Sequence, residues 1–191
     1  DVHMMLDELP DGYAYVGGAA RAALVRSLGI DPTASFRDLD IVSVSPDTDP
    51  TEMRELSELY MPEDYSHGHG IKREDGHYFE TRDFTINELI AGADGIYCTK
   101  QCLLDTVRGI VRISDYEIED SEDEDGEEGY YINPKLLAKA LRFAAARYMQ
   151  IGNPEDYEYF QIDAFHMALH LDRALEDGYE VAQRYVDKLQ E

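Results

Sequence analysis

An apolar run that stops at two consecutive glycines, YAYVGG at residues 13–18, sets the frame for this chain. The run reads as a buried strand. AARAALVRSLG (19–29) follows with apolar positions at helical spacing and Gly29 as a stop signal. IDPTASFR (30–37) is a loop, and DLDIVSVS (38–45) reads as a strand with Leu39, Ile41 and Val44 apolar. A glycine pair lets the backbone approach a ligand without a Cβ clash. At the start of a helix it also presents N–H groups to an anion, which suits a polyphosphate. Taken alone, such glycines serve equally well as a turn. Asp38 and Asp40 stand one residue apart, so a strand places both carboxylates on one face. Like charges so placed are costly unless a cation lies between them, and Mg2+ favours one or two carboxylates together with phosphate oxygens and water. Asp-x-Asp alone fits an exposed strand face. The order strand, Gly-Gly, helix, Asp-x-Asp strand favours a metal site facing a phosphate cradle.

Bulk properties narrow the classes. A chain of 191 residues with 43% hydrophobic side chains can bury a core as one domain, or one domain with an appendage. Its net charge is −24, and its 17 basic residues are mostly arginine. This acidity suits solubility and counts against a broad electrostatic grip on nucleic acid, which relies on Lys and Arg. Cys98 and Cys102 are too few for a disulfide framework and read as ordinary thiols in a reducing compartment. With no apolar stretch of membrane-spanning length and no signal peptide, the expected setting is cytoplasmic. The sequence sets no oligomeric state.

Further along, DPTEMRELSELY (49–60) reads as a helix, SHGHG (66–70) as a flexible turn and HYFET (77–81) as a strand. FTINELIAG (84–92) looks helical, and CLLDTVRGIVRI (102–113) is expected to end in a short strand. Residues 115–129 hold ten acids in fifteen positions, a density that resists compaction and reads as a solvated loop or linker. A calcium loop aligned on Gly126 fits poorly, because Ser121 and Ile132 fall where Asp and Glu are wanted. NPKLLAKALRFAAARYMQIG (133–152) is an amphipathic helix, and helices are expected over 154–178 and 179–190. His166 and His170 are one helical turn apart but lack the Glu of a zinc protease motif, so packing or surface roles are favoured. His67 and His69 are not read as ligands. The expected organisation is a head at 4–114, the acidic segment at 115–129 and a helical neck and tail at 130–191.

With these motifs in place, the head resembles the nucleotidyltransferases of the DNA polymerase beta superfamily, in the poly(A) polymerase and class II CCA-adding branch. GGAAR (17–21) is similar to the family's Gly-Gly-x-x-Arg turn, RDLDIV (37–42) to its metal motif, and TRDFTINEL (81–89) to its Arg-Arg-Asp-Phe-Thr-x-Asn-Ala element. LLDTVRGIVRI (103–113) and NPKLLAKALRFAAA (133–146) look like the segments that follow, so the resemblance covers residues 13 to 152. It implies an α+β fold: a small mixed β-sheet head with flanking helices, then an all-α neck. It implies that Asp38 and Asp40 hold Mg2+, with Mn2+ as the alternative. Glu80 stands where a third catalytic carboxylate is often found, the alternative being an outward-facing strand residue. Gly17, Gly18 and Arg21 would meet the triphosphate, and Arg82, Asp83 and Asn87 the ribose and phosphates. Asp83 could equally cap FTINEL.

The departures are informative. Arg21 is followed by Ala22 rather than Asp, and Thr81 replaces an Arg. Ile132, Asn133 and Leu136 stand where the family's neck carries the charged residues that select CTP and ATP. Leu136 offers the base an apolar contact only, so relaxed base selection is expected. Lys139 and Arg142 are the next candidates for the nucleotide, the alternative for both being a solvated face. The family's large tRNA-gripping domains are not in this sequence. The leading expectation is a metal-dependent enzyme moving a nucleoside monophosphate from an NTP such as ATP to a hydroxyl, most directly an RNA 3′ end, with release of pyrophosphate. The alternatives are transfer to a small molecule or protein, and a catalytically inactive nucleotide-binding or interaction module.

Overall fold

The computed structural model describes residues 9–36, 38–44, 66–71, 79–114, 118–122, 128–132, 134–147, 149–152 and 163–190. Strand β1 (Tyr13–Val16) is buried at every position, as its run of Tyr, Ala and Val demands. Helix α1 (Gly17–Ser27) begins at the next residue, so the two glycines form its first turn rather than a separate loop. Strands β2 (Asp38–Ser43), β3 (Ser66–Ile71), β4 (Leu89–Gly92) and β5 (Gly95–Cys98) complete a five-stranded sheet in the order β3-β2-β1-β4-β5. Neighbours are antiparallel except β2 and β3, which run parallel.

Alternation along the strands gives the sheet two buried faces. Tyr13, Tyr15, Leu39, Ile41, Leu89 and Ala91 pack with Ala19, Ala20, Ala22, Ala23 and Leu24 of α1. Ala14, Val16, Val42 and Ile90 form a smaller cluster with Phe79. Four alanines on the buried side of α1 let the helix lie close to the strands. Full burial of a leucine such as Leu39 or Leu89 contributes roughly 1.5–3 kcal/mol.

The remaining elements are α2 (Lys100–Arg108), β6 (Ile110–Val111), a hairpin of β7 (Ile118–Glu122) and β8 (Glu128–Ile132), α3 (Pro134–Arg147), β9 (Gln150–Ile151), α4 (Ala164–Asp177) and α5 (Tyr179–Lys188). Among the described residues, those up to Phe79 together with Ile86–Leu103 form one compact unit, and Glu80–Thr85 with those from Leu104 onward form another. The division thus falls within α2. The cause is local. The Thr85 hydroxyl donates to Asp105 at 2.7 Å, Arg112 Nε donates to the same carboxylate at 3.1 Å, and Phe84 bridges to Ile113. These contacts bind 80–85 to the second unit.

In that unit, Leu137, Leu141 and Ala145 of α3 pack with Ala174 of α4 and Ala182 and Tyr185 of α5. Phe84 meets Phe143 edge-on, with ring centroids 5.7 Å apart. Asp163 caps α4 by accepting from the Phe165 N–H at 2.8 Å. Among the described residues no helix is long and apolar enough to cross a membrane.

Several expectations change. Residues 66–70 are part of strand β3, not a turn, because pairing with β2 supplies the backbone partners. Phe79–Thr81 is a single 3-10 turn rather than the end of a strand. FTINELIAG is a 3-10 turn (Thr85–Asn87) followed by β4, since the two-residue turn Ala93-Asp94 closes a hairpin with β5, with Gly92 opposite Gly95. Part of the acidic segment pairs as β7 and β8, with Ile118 opposite Ile132, so 128–132 belongs to a hairpin and not to a calcium loop. The helix expected at 49–60 lies outside the described residues.

His170 is 3% exposed, and its Nδ1 accepts from Arg142 Nε at 3.3 Å. Burial, and then the positive charges of Arg142, Arg173, Lys139 and His166, lower its pKa from 6.5 to about 3. The unfolded chain therefore takes up a proton near 6.5 that the folded chain refuses until about 3. Stability is complete above the upper value and is lost as pH falls through this window, by up to about 1.4 kcal/mol per pH unit. Urea denaturation of His170→Gln, whose amide oxygen accepts from Arg142 without titrating, is expected to show a flatter acid limb than the wild type between these two values.

Candidate active site

Antiparallel pairing of β1 with β2 sets Val16 opposite Asp40. Gly17 follows Val16 at once, so the N-terminus of α1 and the acidic strand meet at one end of the sheet. Gly17 has φ +60°, and a Cβ built there would stand 3.1 Å from Asp40 Oδ2. Only glycine leaves this space to the carboxylate. The N-cap residue Val16 offers no side-chain acceptor and the first turn of α1 carries no acid, so the opening N–H groups meet no carboxylate of their own turn. Position 38 shares the face of position 40 by strand register, opposite the face on which Leu39 and Ile41 pack under α1. Arg21, one helical turn beyond Gly17, donates from its guanidinium to the Asn87 Oδ1. The first unit thus brings together Gly17, Gly18, Arg21, Asp40 and Asn87, with position 38 beside them on the strand.

The second unit holds the others. Asp83 accepts from the Phe84 N–H at 2.9 Å, which is the expected local cap, and its other oxygen pairs with Lys139 Nζ. Lys139 also lies 5.6 Å from the Phe84 ring centroid and 5.8 Å from that of Phe143. Lys139 is therefore engaged with the Arg-Asp-Phe element and is not on a solvated face. Arg82 donates to Thr81 Oγ1 at 3.0 Å. Glu80 sits in the 3-10 turn Phe79–Thr81, not on a strand.

Two residues expected near the nucleotide are buried. Arg142 is 6% exposed, bound to His170 and to Asp177 at 3.5 Å, with its guanidinium 4.8 Å from the Phe143 ring. It belongs to the helical core because only there does it find an acceptor, a carboxylate and an aromatic face together. Leu136 is 1% exposed and likewise packs inside. His166 pairs with Asp163 at 2.7 Å while His170 serves Arg142, so the two histidines do not share a ligand. Cys98 and Cys102 are free thiols, and burial pushes the Cys98 pKa up. The sequence reading missed Asp105, fully buried and held by Thr85 and Arg112. Its signal was present: an acid three residues after Cys102, on the buried face of an amphipathic helix. Among the described residues no group of three or more His, Cys, Asp or Glu side chains forms a ready metal cluster.

No family model and no curated protein matches the chain. Solved structures do. A tRNA nucleotidyltransferase complexed with a primer tRNA and an incoming ATP analogue superposes with a TM-score of 0.60 at 13% identity, covering 100% of this chain and 60% of that one. A tRNA-processing enzyme in an apo form gives 0.59 at 16% identity, covering 99% and 54%. A CCA-adding enzyme with ATP gives 0.58 at 17%, covering 97% and 48%. The fold is that of the CCA-adding nucleotidyltransferases. The chain spans about half to three-fifths of the length of these structures, and at such identities the likeness is one of fold.

Gly17 and Gly29 provide a matched pair for testing the site. Both have positive φ (+60° and +67°), but nothing lies within 4 Å of a Cβ built on Gly29. Alanine at either position is expected to cost about 1–2 kcal/mol in urea denaturation through backbone strain. Only Gly17→Ala displaces the Asp40 carboxylate, so calorimetry should show Mg2+–ATP binding weakened in that variant and unchanged in Gly29→Ala.

Proposed function

We propose that the chain is a metal-dependent nucleotidyltransferase that moves a nucleoside monophosphate from an NTP to a hydroxyl acceptor, an RNA 3′ end, releasing pyrophosphate. The observation that carries this reading is the approach of Gly17, the first residue of α1, to the carboxylate of Asp40. A triphosphate needs donors on one side and cations on the other, and this end of the sheet offers both. The solved structures that share the fold include complexes with an ATP analogue and primer tRNA, with ATP and with CTP.

The residues fit a divalent cation: two hard carboxylate positions on one strand face, beside a backbone that can hold the phosphates. Asp38 and Asp40 would hold Mg2+, or Mn2+, which when bound neutralises phosphate charge and acidifies the attacking hydroxyl. The N–H groups of Gly17 and Gly18 hold phosphate oxygens, aided by the helix dipole. Arg21 adds a fixed positive charge one turn along. Arg82 and Asp83 are assigned to the ribose and phosphates, and Glu80 is kept as a candidate third carboxylate. Positioning and charge neutralisation suffice, because phosphoryl transfer asks little covalent help of the protein.

The net charge of −24 favours a second reading in which the acceptor is a small molecule or protein. Incubation with labelled NTPs, Mg2+ and total RNA separates these outcomes: labelled RNA supports the first, another labelled product the second, and no product overturns both. Asp38→Ala and Asp40→Ala are expected to lower turnover by more than about 100-fold while the fold persists, since neighbouring like charges gain nothing structurally from each other. Mg2+ with NTP should raise the melting temperature of the wild type and not of the double variant.

Base selection follows from the buried residues. With Leu136 and Arg142 in the helical core, neither reads a base edge, and Lys139 is the remaining candidate on α3. Ratios of kcat/KM among ATP, CTP, GTP and UTP are expected to stay within about 200-fold. Strict use of CTP and then ATP on tRNA would overturn this.

A further inference from the structure

Asn87 was assigned to the nucleotide by resemblance, yet in the structure its side-chain oxygen accepts from the guanidinium of Arg21. Asn87 is 8% exposed and ends the 3-10 turn Thr85–Asn87. Two residues later β4 begins, with Leu89 fully buried and Ala91 paired to Tyr15 of β1. The amide therefore stands on backbone fixed by the same sheet that fixes Asp40. Arg21 lies one turn after Gly17, and helical side chains lean toward the helix N-terminus. An arginine at this position is directed back along the first turn, where the proposed phosphates would lie.

We propose that Asn87 is a positioning residue: its Oδ1 orients the Arg21 guanidinium toward the triphosphate. This rests on the nucleotidyltransferase reading of the site. The chemistry of residue 87 supports the role. An amide oxygen takes a guanidinium N–H and restricts the long side chain without bringing a charge of its own. A carboxylate of nearly the same size would orient the fork equally well but would compete with an anionic ligand for it. Alanine would remove the orientation and add no competitor.

The test compares Mg2+–ATP and adenosine binding by calorimetry in the wild type, Asn87→Asp, Asn87→Ala, Arg21→Ala and the double variant Arg21→Ala/Asn87→Asp. Thermal unfolding establishes which variants are folded. Asn87→Asp is expected to weaken Mg2+–ATP binding about tenfold, and Asn87→Ala about threefold, the alanine losing one hydrogen bond and the aspartate adding a competitor for the guanidinium. Adenosine binding should change in neither, since it lacks the phosphates; a merely structural role would move both ligands together. In the Arg21→Ala background, Asn87→Asp should lose its effect on Mg2+–ATP. Equal loss for adenosine and ATP, or additive losses in the double variant, would overturn the positioning role alone. Failure of the wild type to bind any Mg2+–NTP would overturn both this inference and the nucleotidyltransferase reading. If Asn87→Asp does not fold, the contrast between Asn87→Ala and wild type for the two ligands decides the same question.

Discussion

The register between β1 and β2 governs the rest of the first unit. With Val16 opposite Asp40 and Tyr15 opposite Ile41, the sheet's end receives the acid and its core receives the isoleucine. Strand side chains alternate with a period of two, so a slip of one residue would turn the acids toward α1 and Leu39 and Ile41 away from it. Burying a carboxylate among Tyr15, Leu89 and the alanines of α1 would cost several kcal/mol. The hydrophobic pattern that forms the core therefore also fixes where the Asp40 carboxylate stands. The helix N-terminus is placed by the same pairing, because α1 leaves β1 without an intervening loop.

The second unit depends on buried polar groups that each join distant segments. Asp105 is held by Thr85, twenty residues earlier, and by Arg112 in the strand-forming segment after α2. Arg142 joins α3 to α4 through His170 and Asp177. A buried charge without partners is strongly unfavourable, so each network is tolerated only when its distant members meet. These contacts make the Arg-Asp-Phe-Thr element part of the helical unit, although its sequence runs straight on into the sheet.

The parts of this fold that the sequence revealed share a physical cause. β1, α1 and β2 were legible because the hydrophobic period changes from 2 to 3.6 at a glycine pair and back again after a loop. Residues 84–92 misled because Phe84, Ile86, Leu89 and Ile90 are placed as a helix would place them, while the Ala93-Asp94 turn that makes 89–92 a strand lies beyond the run. Strand β3 was hidden by its glycines and histidines; its strand character comes from pairing with β2. Charge density at 115–129 outweighed the Tyr130-Tyr131-Ile132 signal that continues into β8. Of the site, the helix N-terminus, Asp40 and Arg21 were legible from motif order. The burial of Arg142 was not, since its partners lie 28 and 35 residues along the chain. Nor was the contact of Asn87 with Arg21, which stands 66 residues earlier.

The alanines of α1 carry a further consequence. Ala20 and Ala23 are wholly buried, and Ala19 and Ala22 nearly so, against Tyr15, Leu39, Ile41 and Leu89 of the sheet. On the helix side, the height of α1 above the strands is thus set by methyl groups. A larger residue at either fully buried position must lift or tilt the helix, and the displacement is carried along its axis to Gly17. The interior of the head thus acts as a spacer that sets the gap between Gly17 and Asp40.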